Sequence, residues 1–189
     1  MLTFTRLNQA QLANELGELA DAVAKAQKTG VADDIRNVDA LQSRLAALSL
    51  TPPDSFRAAS SLINYSSFIR EKTGAFLGAS AARARDCGFI KIDDGHTAVD
   101  HIVVVFGGGA TNLNGCTVRL DGLSIKNYTF VNAIVTFGGG MTRLENVRFI
   151  NCLFAVSLPA QPSVQAKQFA QEILLKNVGS KPTFTTTVG

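Results

Sequence analysis

RLDGLSIKNYTF at Arg119 to Phe130 and RLENVRFINCLF at Arg143 to Phe154 are two copies of one pattern, set at a spacing of 24. Arg, Leu, Asn and Phe recur identically. Asp121 answers Glu145, and Leu123 and Ile125 answer Val147 and Phe149. A second echo crosses the first at a spacing of 31: VVFGGGATNLNGCTV (Val104 to Val118) reads against VTFGGGMTRLENVRF (Val135 to Phe149). Apolar residues alternate through both, in short groups such as Cys116, Val118 and Leu120 or Phe154, Val156 and Leu158, each closed by a polar corner. Short strands returning at such an interval predict a coiled β-solenoid. The Asn114-Gly115 dipeptide, a hairpin signal, keeps a sandwich as the alternative.

Upstream of this block the period changes from two to about 3.6. Leu12, Leu16, Leu19 and Val23 mark one face of a helix over residues 5–28, which Gly30 would end. Ile35, Val38, Leu41, Leu45 and Leu48 mark a second helix over 32–48, with Asp33 and Asp34 favouring its N-terminal dipole. The short connection predicts an antiparallel hairpin, with a coiled-coil seam between subunits as the other use of the two stripes. Thr51-Pro52-Pro53-Asp54 stops the second helix and starts a third over 56–72, whose two partial apolar stripes predict two neighbours. Downstream, Pro159 to Pro162 ends the β part, Ser163 to Asn177 reads as a helix, and the Thr-rich tail from Lys181 pairs along a sheet edge or stays disordered.

The corner sequences Lys126-Asn127-Tyr128-Thr129-Phe130 and Ile150-Asn151-Cys152-Leu153-Phe154 resemble those of right-handed parallel β-helix proteins, the pectin-lyase-like superfamily. The resemblance covers Cys87 to Leu158 and concerns fold only. It implies coils of three strands with stacked corner asparagines, Asn127 above Asn151, about 4.8 Å apart. The expected fold is therefore mixed α and β: N-terminal helices (1–85), a short right-handed parallel β-helix solenoid (86–158), and a C-terminal capping helix with its tail (159–189).

Composition narrows the partners. Apolar residues make up 46% and charged residues 17%, and this scarcity of charge predicts that some apolar surface is covered by other subunits. The net charge of +3 is small and its Lys and Arg are scattered, so no nucleic-acid groove is expected. Two Tyr and no Trp leave little for base or sugar stacking. No stretch approaches the roughly 18 apolar residues of a membrane span, and no basic-then-apolar leader opens the chain. Cys87, Cys116 and Cys152 cannot all pair within one chain and read as small buried hydrophobes. Their odd number favours a reducing, cytoplasmic setting.

Few side chains offer chemistry. Asp93, Asp94, His96, Asp100 and His101 form the one cluster with acid–base or cation-holding potential, in a sequence that otherwise reads as a polar turn entering a strand. No metal spacing is present. Gly107-Gly108-Gly109 and Gly138-Gly139-Gly140 lack the following helix and Lys-Ser/Thr of a phosphate loop, so they read as structural turns. Arg119 with Asp121 and Arg143 with Glu145 predict an arginine–carboxylate ladder on one face. Ser60, Ser61, Ser66 and Ser67 receive no nucleophilic role.

These features predict a non-enzymatic assembly or binding module without a cofactor. It is expected to be a homo-oligomer, a trimer by family analogy, with a protein or glycan ligand. The alternatives are a small carbohydrate-active lyase or hydrolase using the Asp93–His101 cluster, and a small-ligand sensor built at the helix–solenoid junction.

Overall fold

The computed structural model describes residues 9–51, 54–75, 85–86 and 116–189. Helix α1 (Gln9–Lys28) buries Leu16 and Val23 of the expected stripe together with Ala20, while Leu19 is only partly buried. Helix α2 (Ile35–Ala47) begins where the Asp34 carboxylate accepts the Arg36 N–H at 2.9 Å, and it buries Val38, Gln42, Leu45 and Ala46. Helix α3 (Asp54–Lys72) is buried around most of its circumference, because α1, α2 and a β-strand all lie against it. The expected α1–α2 hairpin is thus replaced: both helices take α3 as their main partner. The Lys72 ammonium donates to the Gly30 carbonyl at 2.9 Å and ties the end of α3 to the α1–α2 turn.

The strands are short: β1 (Arg85–Asp86), β2 (Cys116–Arg119), β3 (Ser124–Lys126), β4 (Thr129–Val131), β5 (Ile134–Phe137), β6 (Arg143–Ile150), β7 (Leu153–Val156) and β8 (Thr183–Val188). One sheet runs β1-β2-β5-β7, all parallel. In the other, β3 and β4 lie end to end along one side of β6 and parallel to it, while β8 lies along its other side, antiparallel.

The expected right-handed parallel β-helix, and its resemblance to the pectin-lyase-like superfamily, are overturned by this topology. The strands form two separate sheets, one of them mixed, and do not close into a coil. Neither expected spacing sets the register. Thr117 pairs with Ile134, an offset of 17. Ser124 pairs with Arg143, Thr129 with Arg148 and Ile134 with Leu153, each an offset of 19. The mixed α and β composition stands.

Phe149 is the centre of the β core. Its ring stacks on Phe130 at 5.4 Å and 11°, and meets Phe154 and Phe184 at 5.3 Å and Phe169 at 5.9 Å. These rings come from β6, β4, β7, β8 and helix α4 (Val164–Lys176), so both the helix and the Thr-rich tail are fixed by aromatic burial. Helix α4 starts at Ser163, whose hydroxyl accepts the Ala166 N–H at 3.0 Å. One hydrophobic cluster runs from Leu16 in α1 to Val188 in β8.

The outer edge of β7 is closed by side chains. In a parallel sheet alternate residues turn their N–H and C=O to opposite sides. Leu153 donates to Ala133 and Ser157 to Phe137, in or just before β5 and at its end. Phe154 and Val156 face α3 instead. The Ser67 hydroxyl serves both backbone groups of Phe154, donating to its C=O and accepting its N–H, each at 2.8 Å. The Asn64 amide does the same for Val156, accepting its N–H at 2.7 Å and donating to its C=O at 2.9 Å. The Ser60 hydroxyl accepts the Leu158 N–H at 3.0 Å, and the Arg70 guanidinium donates to the Cys152 carbonyl at 2.7 Å. Ten helical residues rise about 15 Å and six strand residues about 20 Å. The long Arg70 side chain spans the difference at one end. A helix surface thereby stands in for a strand and blunts an edge open to pairing.

Candidate functional site

Asn127, Asn132, Asn146 and Asn151 all stand in the left-handed region, with φ of 54°, 49°, 52° and 50°. Asparagine tolerates this better than any β-branched residue, which explains its place at the corners. The expected Asn127–Asn151 stack is corrected. The Asn146 amide donates to Asn127 at 2.8 Å, and the Asn151 amide to Asn132, also at 2.8 Å. Arg70 ends the second row by donating to the Asn151 side-chain oxygen at 3.0 Å.

The loop Gly138-Gly139-Gly140 is a cradle for an anion, and the chain fills it itself. The Asp121 carboxylate accepts the Gly138 N–H at 2.8 Å and the Gly140 N–H at 2.8 Å. Glycine is required here by space as well as by angle. Gly139 has φ +80°, and a Cβ on it would lie 2.5 Å from Pro159; a Cβ on Gly140 would lie 2.8 Å from Asp121. Arg119 pairs with Asp121 at 3.3 Å, but Glu145 takes Lys126 at 2.6 Å instead of Arg143, so the expected arginine ladder does not form. Asp93, Asp94, His96, Asp100, His101 and Gly107, Gly108 and Gly109 lie outside the described residues.

Cys152 fits the reading as a small buried hydrophobe and Cys116 departs from it. Cys152 is free and buried, and burial pushes its thiol up to about 11. Cys116 is disulfide-bonded, which takes away the ground for a reducing compartment. Cys87 lies outside the described residues. Arg70, fully buried, is lowered to about 10 by desolvation.

A groove of about 1440 Å³ lies between the mixed sheet and α4. Gly122, Leu123, Ser124 and Thr142 to Glu145 line its sheet side, and the end of β8 and the C-terminal turn of α2 contribute further residues. Its helical wall carries Gln165, Gln168 and Gln171, the row that helical spacing puts on one side of α4. Glu172 pairs with Lys176 at 2.6 Å and Glu145 with Lys126, so the acidic groups of the groove each hold a lysine. Met141, 75% exposed, and Leu175, 54% exposed, add apolar surface. Sequence reasoning passed over this glutamine row; its three-residue spacing beside Phe169 and Ile173 was the available signal.

No family model, curated protein or solved structure matches the chain. Among the described residues, no helix is long and apolar enough to cross a membrane.

Proposed function

We propose that this protein is a non-enzymatic binding module that holds an extended polypeptide in the groove between the mixed sheet and α4. The observation that carries the reading is the row of glutamine amides on one wall beside the apolar side chains of Met141 and Leu175. Amides donate and accept together and so match peptide groups, while alternate side chains of an extended segment reach apolar positions. The acidic groups of the groove are already engaged with lysines and Arg143 lies on its sheet side, which favours a neutral or acidic segment over a basic one. The disulfide at Cys116 favours an oxidising compartment over the cytoplasm expected from the cysteine count.

The test is selection of binders from a displayed random-peptide library, followed by titration against the triple variant Gln165→Ala, Gln168→Ala, Gln171→Ala. These positions lie outside the aromatic core, so the variant should keep its melting temperature and lose at least tenfold in affinity. Equal affinity of the variant for the selected peptides would place their site elsewhere and defeat the proposal. Met141 and Leu175 also favour a second copy on the same face. Light scattering at several concentrations separates the two occupants. A mass that rises with concentration, towards the expected trimer or otherwise, and falls back in Met141→Glu gives the groove to self-association.

A further inference from the structure

The junction of α2, α3 and the segment after α4 buries polar groups that the groove does not use. Arg70 marks the place: it donates to the Asn177 side-chain oxygen at 3.2 Å, and the Gly179 N–H donates to Asp39 at 2.8 Å. Gln42 stands one turn beyond Asp39 on α2, and Ser66 one turn before Arg70 on α3. Gln42, Ser66 and Asn177 are at most 1% exposed. Yet Asp39 Oδ1, both amide atoms of Gln42, Ser66 Oγ and Asn177 Nδ2 take no partner among the described residues. Polar atoms stripped of water with nothing in return would together consume much of the stability margin of a domain of this size.

The set of orphan atoms states what would satisfy it. Asp39 and Gln42 offer acceptors, Gln42 and Asn177 offer donors, and Ser66 offers both. A cation would find few oxygens and the Arg70 charge beside them. An anion would meet the Asp39 carboxylate. Water, which donates twice and accepts twice, matches this mixture, and more than one molecule is needed to serve every orphan atom. We infer that this junction is an internal hydration site, in which water bridges Asp39, Gln42 and Asn177 and thereby joins α2 to the segment leading from α4 into β8.

Two measurements test it. In nitrogen-filtered nuclear Overhauser spectra of the intact protein, the side-chain amides of Gln42 and Asn177 should show cross-peaks to water with the sign of a long-lived complex. Amides silent to water would overturn the site. In Gln42→Leu the two signs of the stability change separate the cases. With bridging water, the leucine breaks the network and lowers the melting temperature by about 3–6 °C. Without water it only removes two orphan atoms, and a raised melting temperature would likewise overturn the inference. Should Gln42→Leu fail to fold, the spectra of the unaltered protein decide alone.

Discussion

Replacing Ser67 by alanine removes one oxygen and orphans two backbone groups. The hydroxyl holds both the N–H and the C=O of Phe154 at 2.8 Å, and Ser67 is only 8% exposed, so water does not readily take its place. Each buried group left unpaired costs about 1–3 kcal/mol, and the serine-to-alanine change itself leaves almost no cavity. The expected loss is therefore about 2–6 kcal/mol, far above the roughly 0.5 kcal/mol typical of a surface substitution. Urea unfolding measures it, with an unchanged m-value showing that the native and unfolded states keep their extents. Ser61→Ala, on the same helix but half-exposed, serves as the comparison and should stay within about 0.5 kcal/mol.

Hydrogen exchange adds a residue-level reading. In Ser67→Ala the Phe154 amide should exchange faster by a factor of ten or more, while the Leu153 amide, bonded to Ala133, should change only by the global loss of stability. A variant as stable as the parent, with the Phe154 amide still protected, would refute the view that α3 replaces a strand at this edge.

Two further outcomes are expected. Asp121→Ala should loosen the Gly138–Gly140 loop at a cost of about 1–3 kcal/mol, since two N–H donors lose a charged acceptor; unmoved Gly138 and Gly140 amide resonances would contradict the cradle. The native Cys152 thiol keeps its proton up to about 11, whereas the ordinary value is 9.0. Between these pH values the unfolded chain binds fewer protons than the native one, so stability falls as pH rises from 9 to 11. Two pH decades at about 1.4 kcal/mol each give a loss of about 3 kcal/mol. Cys152→Ala should flatten that slope in unfolding curves taken at pH 9, 10 and 11.

The helices were legible because three- and four-residue spacing has one structural meaning when it is sustained over several turns. The sheet register was not. Each of two successive segments carries a pair of corner asparagines five positions apart, Asn127 with Asn132 and Asn146 with Asn151. Identity matching at an offset of 24 laid the first corner of one segment on the second corner of the next. The true pairing, at an offset of 19, aligns Ile125 with Leu144, Phe130 with Phe149 and Val135 with Phe154. It preserves inward apolar character but few identical residues. Burial face decides register, because a wrong offset turns side chains to the wrong side; recurrence of letters does not.

The same distinction explains why the edge-closing helix escaped notice. Ser60, Asn64, Ser67 and Arg70 look like a polar stripe, which by period alone belongs to solvent. The structure buries Ser67 and Arg70 because β7 and the residue before it offer them unpaired backbone groups, so the polar face of α3 packs inward along with its apolar one. Nothing in a single sequence says that a strand far along the chain will lack a neighbour. The groove wall on α4 is the converse case. Its glutamines obey the helical period and line the groove, and their chemistry becomes readable only once the mixed sheet stands opposite them. A polar stripe on a helix therefore has two readings, and what decides between them is whether the opposing surface brings its own unsatisfied donors and acceptors. For α3 that surface is β7; for α4 it is what the proposed ligand would supply.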